Sequence, residues 1–151
     1  MYDQLKLDNQ VCFRLYTASR LITQTYRPLL EPLGITYPQY LVLMVLWERG
    51  HQTVGDIAGR LLLESNTLTP LLQRMEKEGL VCRTKNAADA RQTLVSLTRK
   101  GTELQHRAKD IPACMAAAWQ GAPLGKAEVQ GFVDMLDAII NQLKDNKKQN
   151  L

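Results

Sequence analysis

Three cysteines, Cys12, Cys82 and Cys114, carry the most reactive side chains of this chain. A cysteine thiolate can attack a peroxide oxygen and become a sulfenic acid, which a second thiol converts to a disulfide. A cysteine can equally serve as a small apolar side chain in a core. Cys12 lies in the amphipathic segment NQVCFRLY, and composition alone leaves both interpretations open for it.

Other kinds of reactive site find little support in the sequence. The two histidines, His51 and His106, have no partners at metal-ligand spacing, and no glycine-rich nucleotide-binding pattern is present. We therefore expect no metal, no cofactor and no enzymatic activity. A thiol peroxidase stays open as an alternative, and catalytic rather than stoichiometric consumption of peroxide would reveal it.

Composition and charge indicate a single cytoplasmic protomer with a weak preference for polyanions. The sequence is 45% hydrophobic, but it has no run of about 18 apolar residues that would suggest a membrane span. It starts with MYDQLKLDNQ, which lacks the basic and apolar regions of a signal peptide. Because the cytoplasm keeps thiols reduced, any disulfide would be transient. The net charge of +4 is compatible with DNA binding, and basic residues gather between Arg74 and Arg107.

A long helix should carry the first cysteine. Residues 11–29 include apolar side chains at intervals of three, four and seven, which indicates an amphipathic helix with Asp8 as its N-cap. Pro28, Pro32 and Gly34 should end this helix.

Two more helices are predicted directly after it. Residues 37–47 are apolar enough to form a buried helix that stops at Gly50. Thr53 then caps a short helix, with Asp56 in capping-box position three residues later.

The next segment, LESNTLTPLLQRMEKEGL, predicts a helix that Gly79 ends. Proline is best tolerated in a first turn, so Pro70 indicates a start near Asn66 or Thr67. The apolar period then changes to two, and the runs LVCRTKN and QTLVSLT predict a β-hairpin around the loop NAADAR.

The last part of the chain predicts two helices. Thr98 starts the first, which is interrupted at Pro112 and runs toward Trp119, and the second covers about Lys126 to Leu143 after the turn GAPLG. A short helix, a turn, a second helix and a hairpin are the parts of a winged helix-turn-helix. The fold class is therefore mainly α, with a small β-hairpin wing and with flanking N- and C-terminal helices.

This order of elements predicts a DNA-binding surface. A helix fits the major groove, its hydroxyl and amide side chains approach phosphates and base edges, and a hairpin brings basic side chains to a neighbouring groove. Each role has a structural alternative to DNA contact. The polar helix residues would then only form an exposed helix face, and Arg91 would only pair with Asp89 to shape the turn. The candidate DNA-binding residues are Ser65, Thr67, Thr69, Gln73, Arg74, Lys85, Asp89 and Arg91.

Four segments carry a family resemblance over roughly residues 5–145. DARQTLVSLTRKG is similar to the wing signature of the MarR family of winged-helix regulators. The other three resemble the organic-hydroperoxide-sensing repressors of that family, the OhrR type: LDNQVCFRLYTASR, YRPLLEPLGITYPQYLVLMVLWE and SNTLTPLLQRMEKEGLV.

The resemblance implies roles for specific residues. Cys12 would be the redox-sensing cysteine, hydrogen-bonded by Tyr26 and Tyr37, and organic hydroperoxide would be its oxidant. Phenol hydroxyls that donate to sulfur favour the thiolate. Cys114 would resolve the sulfenic acid through an intersubunit disulfide, as in the two-cysteine class, whereas Cys82 is expected to pack in the first wing strand.

The spacing of these residues then requires a dimer. Cys12 and Tyr26 are 14 positions apart on one predicted helix, or roughly 21 Å at 1.5 Å per residue. A twofold homodimer would bring the tyrosines of one subunit to Cys12 of the other and would read a pseudo-palindromic operator in double-stranded DNA. We expect residues 37–98 to bind DNA, and residues 5–34 and 99–145 to form the dimerisation region.

Two other regulatory readings remain open. A MarR-type regulator released by a small phenolic or lipophilic ligand, without cysteine chemistry, would account for the same elements. The sequence also leaves open whether the regulator represses or activates its target.

Overall fold

The computed structural model describes residues 2–118, 121 and 125–149, with side chains described through residue 146. The predicted helix end near Trp119 and most of the predicted GAPLG turn therefore lie outside the described residues. Residues 1–112 and residues 113–151 form two compact units.

The first helix, α1, covers Val11–Leu30. The predicted N-cap Asp8 is wrong, because it lies in the second of two 3-10 turns that precede the helix. Side-chain to backbone bonds hold these turns, and one of them joins Asn9 Nδ2 to the Asp3 carbonyl at 2.8 Å. Pro28 lies inside α1 instead of ending it. The last turn of α1 buries Leu30, and the free energy of this burial offsets the loss of the hydrogen bond that proline cannot make.

The second helix, α2, covers Tyr37–Arg49, as predicted. A capping box that sequence reasoning missed starts it: Thr36 and Gln39 satisfy each other's backbone NH groups. Gly50 ends it in a positive-φ conformation, at φ 73°, which glycine adopts without steric cost.

The helix-turn-helix follows as β1 (Gln52–Thr53), α3 (Val54–Leu61) and α4 (Ser65–Lys77). The predicted capping box of α3 is confirmed, with Asp56 N donating to Thr53 Oγ1 at 3.1 Å. Helix α4 starts one residue before the predicted Asn66. The backbone NH groups of its third and fourth residues both donate to the Glu64 carbonyl at 3.0 Å, which closes the first turn. Pro70 consequently lies in the second turn.

The wing consists of β2 (Val81–Lys85) and β3 (Thr93–Leu97), paired antiparallel with Arg83 opposite Val95. This hairpin is confirmed at the predicted positions. Strand β1 pairs with the other side of β3, so the sheet has the order β1-β3-β2. At two residues, β1 is too short to produce an alternating pattern that sequence analysis detects.

Three helices follow the wing in the described residues: α5 (Arg99–Ala108), α6 (Ile111–Ala118) and α7 (Lys126–Gln149). Thr98 caps α5 as predicted, by accepting from Gly101 N. The predicted interruption at Pro112 comes slightly earlier, before Ile111. Pro112 is the second residue of α6, where a missing NH loses no helical bond. Helix α7 extends beyond the predicted Leu143.

The core of the first unit lies where α2, α3, α4 and the sheet meet. Its central side chains are less than 2% exposed, which makes this region the most water-excluded part of the unit. These residues are Leu43, Leu46, Ile57, Leu68, Leu72, Met75 and Val95.

Apolar side chains also lie outside this core. Helix α1 exposes Val11, Phe13, Tyr16 and Leu21, and α7 exposes a row that includes Val129, Phe132, Val133, Ile140 and Leu143. On α7 the spacing of three, four and seven places most of them on one helical face. Among the described helices, no single one has both the length and the apolar composition needed to cross a membrane.

Candidate functional site

A cluster of three tyrosines forms where α1 meets α2. The ring centroids of Tyr26 and Tyr37 are 4.6 Å apart, and those of Tyr26 and Tyr40 are 6.0 Å apart. The left-handed Gly34 ends the 3-10 turn Glu31–Leu33 between the helices, and the chain bends there by 72° as it enters α2. The structure therefore brings together the two tyrosines that the sequence singled out and adds Tyr40, which sequence reasoning missed.

The environment of Tyr37 and Tyr40 favours the protonated form of their hydroxyls. Burial raises the pKa of the Tyr37 hydroxyl above its usual value, and Tyr26 adds to the effect. Burial also raises the pKa of Tyr40, with smaller contributions from Tyr26 and Tyr37. Hydroxyls in this state are hydrogen-bond donors at neutral pH.

An open groove of about 490 Å³ lies beside Tyr37. Its wall is largely apolar, with the Arg27–Glu31 ion pair at the α1 side. A concave apolar surface next to phenol donors suits an organic molecule with one polar end. Lining residues include Thr23, Arg27, Leu30, Ile35, Tyr37 and Pro38.

Cys12 lies in the first turn of α1 and is exposed. The helix separates it from Tyr26 by 14 residues, roughly 21 Å of helical rise. Within one chain, the structure therefore does not bring the predicted sensing cysteine to the predicted tyrosines. Cys114 is also exposed and belongs to the second unit.

Cys82 does not pack in the core, contrary to the prediction. It is exposed on β2, with its thiol 3.8 Å from the Ser96 carbonyl oxygen. Alternation along the strand explains this position, because Val81 takes the buried face and the next residue must point the other way. All three cysteines are free thiols in this structure.

The predicted DNA-binding residues of α4 take different positions. Ser65 and Thr69 line a groove of about 330 Å³ that they share with Arg91 of the wing. Thr67, Gln73 and Arg74 are exposed on α4 but do not line this groove.

The wing turn is shaped by an ion pair. Arg91 Nε donates to Asp89 Oδ1 at 3.0 Å, and Arg91 N donates to the same oxygen at 3.1 Å. These bonds hold the pKa of the Asp89 carboxyl below its usual value. The Arg91 side chain is still 90% exposed, so donors remain available for a ligand. Lys85 is exposed at the other end of the turn, where β2 stops.

A second ion pair, which sequence reasoning missed, fastens the wing to α4. Glu76 accepts from the Arg83 backbone NH at 3.0 Å and from its guanidinium at 2.8 Å. The Arg83 side-chain bonds, followed by its backbone NH, lower the pKa of the Glu76 carboxyl. The sequence contains one indication of this pair, because Glu76 and Arg83 carry opposite charges on either side of Gly79. The contact itself depends on how the chain turns from α4 into β2.

Metal ligands do not cluster in the part of the chain that the structure describes: no group of three or more His, Cys, Asp or Glu residues there is placed to hold a metal ion.

Comparisons with known proteins agree with this architecture. The model of the MarR family matches residues 35–93. Over 111 residues, the chain is 50% identical to the organic hydroperoxide resistance transcriptional regulator of Bacillus subtilis strain 168, and the match covers 74% of this chain and 76% of the relative. This chain belongs to the MarR family.

This MarR-family chain is also similar to solved structures of AbfR, a protein of Staphylococcus epidermidis. Reduced AbfR bound to DNA matches with a TM-score of 0.75 and 38% identity, over 93% of this chain and 96% of AbfR. Disulfide-formed AbfR matches with a TM-score of 0.64 and 38% identity, over 91% and 95%. The predicted family and the winged-helix fold class are confirmed, and the protein is a transcriptional regulator, not an enzyme.

Proposed function

We propose that this regulator is a cytoplasmic, redox-sensing repressor that binds operator DNA as a homodimer and releases it when organic hydroperoxide oxidises Cys12. The separation of Cys12 from the Tyr26–Tyr37 pair along α1 carries the proposal. Because Cys12 of the same chain lies far along α1 from these two phenol donors, a Cys12 thiol from a second subunit suits them. The names of the relatives support the same chemistry, because one is a hydroperoxide resistance regulator and the other exists in reduced and disulfide-formed states.

Exposed apolar surface supports the homodimer. The unpartnered apolar side chains of α1 and α7 lie in the ranges that we assign to dimerisation, residues 5–34 and 99–145. Burial of such faces against a second copy removes apolar area from water, which favours association. A twofold axis between antiparallel α1 helices would place Cys12 of each subunit at the tyrosine cluster of the other.

The oxidation has two balanced steps. The Cys12 thiolate attacks a peroxide oxygen of ROOH, the O–O bond breaks, and Cys12 becomes a sulfenic acid while the alcohol ROH leaves. The Cys114 thiol of the other subunit then attacks the sulfenic sulfur, so that a disulfide forms and water leaves. Together, two thiols lose two electrons and the peroxide gains them.

The winged helix supplies the DNA contacts in this proposal, within residues 37–98. Ser65 and Thr69 line one groove with Arg91, so in this proposal the start of α4 and the wing turn would contact the same DNA duplex. The exposed Gln73, Arg74 and Lys85 extend this surface, and Thr67 adds a hydroxyl at the start of α4. Movement of the two winged motifs away from half-site spacing would lose phosphate contacts and lower the affinity.

The test of the proposal is operator binding by the reduced and oxidised protein. An operator is first selected from random duplex DNA with the reduced protein, and fluorescence anisotropy then gives the dissociation constant. One equivalent of cumene hydroperoxide should raise this constant about 10- to 100-fold, and dithiothreitol should restore it. An oxidised protein that binds as tightly as the reduced one would refute the redox mechanism.

Cys114→Ser should separate the two chemical steps. A sulfenic-acid probe should still label Cys12 in this variant, but the dithiothreitol-sensitive dimer that the wild type forms on a nonreducing gel should be absent. Cys82→Ser is the matched control and should form the dimer normally, because Cys82 lies on the wing strand. A crosslink that survives Cys114→Ser would remove Cys114 from the mechanism and favour a mixed disulfide with a small cellular thiol.

Arg91→Ala should weaken operator binding about 5- to 10-fold at moderate salt and reduce the slope of log affinity against log salt by about 0.9, the value for one lost phosphate contact. The measurement is anisotropy at several salt concentrations. Arg27→Ala removes the same charge from an exposed side chain of α1 and should leave the slope unchanged. If the slope also stays unchanged in Arg91→Ala, Arg91 only shapes the turn with Asp89.

The groove beside Tyr37 favours one second candidate, a regulator that a small phenolic or lipophilic ligand releases without cysteine chemistry. Release of the reduced protein from its operator by such a ligand, under anaerobic conditions and equally in Cys12→Ser, would support it.

A further inference from the structure

Gln39 is a buried polar side chain whose amide is used at both ends. It is 3% exposed and lies in the first turn of α2. Its Oε1 accepts from the backbone NH of Thr36 at 2.8 Å, and its Nε2 donates to Glu78 Oε2 at 2.6 Å. A buried amide in this arrangement cannot turn without leaving a polar group unsatisfied.

The two partners of Gln39 belong to different functional parts of the protein. On one side, the first turn of α2 starts with Tyr37, whose ring packs against Tyr26 of α1 at a tilt of 39°. On the other side, Glu78 directly follows α4 and is its C-cap. One side chain therefore joins the tyrosine cluster to the end of the candidate recognition helix.

The end of α4 is in turn fastened to the other parts of the winged domain. Lys100 Nζ of α5 donates to the Glu78 carbonyl at 2.8 Å. Two residues earlier, Glu76 accepts hydrogen bonds from the backbone NH and the guanidinium of Arg83 in β2. A displacement at Glu78 thus acts on α4, on α5 and, through Glu76, on the wing.

We propose that Gln39 and Glu78 are positioning residues that couple the state of the tyrosine cluster to the placement of α4 and the wing. This inference rests on the proposed redox function and names its internal link. When oxidation of Cys12 changes what the Tyr37 hydroxyl contacts, the first turn of α2 shifts and carries Gln39 with it. Glu78 then follows, because the short Gln39–Glu78 bond is retained.

Coupling of this kind is reciprocal. If oxidation of Cys12 lowers operator affinity by some factor, bound operator must disfavour oxidation by the same factor at equilibrium. A residue that only supports the fold would change affinity in both redox states alike. The informative quantity is therefore the ratio of the operator dissociation constants of the oxidised and reduced protein.

Glu78→Ala is the sharpest variant, because it removes the acceptor for Gln39 Nε2 and leaves the Thr36 capping box intact. Glu78→Gln keeps an acceptor oxygen and should behave as the wild type. Glu103→Ala removes a carboxylate of the same charge from an exposed Arg99 pair on α5 and is the matched control. Gln39→Met breaks the link from the other side and guards against a folding defect in Glu78→Ala.

The experiment measures the oxidised-to-reduced ratio with the selected operator and cumene hydroperoxide in all five proteins. We expect this ratio to fall about fivefold or more in Glu78→Ala and Gln39→Met, and to stay at the wild-type value in Glu78→Gln and Glu103→Ala. An unchanged ratio in Glu78→Ala, or equal weakening in both redox states, overturns the coupling alone. A wild-type ratio near one overturns the proposed function, and the coupling with it.

Discussion

Cys12→Ser should abolish release of operator DNA by organic hydroperoxide while leaving the affinity of the untreated protein within about twofold of wild type. Serine has nearly the size of cysteine and can accept hydrogen bonds from the partner's phenols, but its hydroxyl does not attack a peroxide oxygen under these conditions. The expected loss is the entire response, about 10- to 100-fold in the dissociation constant. Anisotropy with and without one equivalent of cumene hydroperoxide measures it.

Cys82→Ser is the control for this substitution. It removes an equally exposed thiol from the wing strand and should respond to hydroperoxide like the wild type. Release that persists in Cys12→Ser would exclude Cys12 as the sensor. That result would favour a regulator that a small ligand releases from DNA, with the groove beside Tyr37 as the candidate ligand-binding site.

Gly101→Ala should destabilise the protein by about 1–3 kcal/mol or more, the range for overpacking a filled site. A Cβ at this position would overlap the carbonyl oxygen of Leu80, and it would also press on the Leu97 side chain at 3.1 Å. Helix α5 cannot easily move away to relieve this overlap, because Trp47 Nε1 donates to the Gly101 carbonyl at 2.9 Å and holds the helix in place. Urea unfolding followed by circular dichroism measures the effect, at one fixed protein concentration because dimers unfold in a concentration-dependent way.

Gly59→Ala is the matched control in the same unit. Gly59 lies inside α3, and an added Cβ would meet nothing within 4 Å. Alanine there should raise the free energy of unfolding by about 0.5–1 kcal/mol through helix propensity. Stability of Gly101→Ala equal to wild type would mean that α5 shifts away from the base of the wing without cost, contrary to the tight contact seen here.

Much of the fold could be predicted because its signals are local. Thr53 and Asp56 cap α3 from neighbouring positions, Gly50 and Gly79 end helices with their positive φ angles, and Thr98 starts α5. The change of apolar period from helical to two marked the wing hairpin. Each of these features depends on residues within a few positions of one another, so one stretch of sequence contains the whole cause.

Several of the errors occur where contacts with other parts of the fold decide the outcome. Pro28 does not end α1, because burial of Leu30 sustains the last turn. Strand β1 forms because β3, about 40 residues later in the chain, offers it a free edge. Cys82 is exposed although it directly follows the apolar Leu80 and Val81, since the pairing of β2 with β3 fixes which face of the strand is buried.

The sequence by itself determined the helices, the wing and the Asp89–Arg91 turn. Through the family resemblance, it also identified Cys12, Tyr26 and Tyr37 as candidate sensor residues. Only the tertiary structure decided which of these meet. It packed the tilted rings of Tyr26 and Tyr37 together, kept Cys12 away from both within one chain, and linked Gln39 to Glu78 across 39 positions. Helix caps and turns are specified by neighbours in the chain, whereas contacts between helices depend on how their buried faces pack, which no single segment encodes.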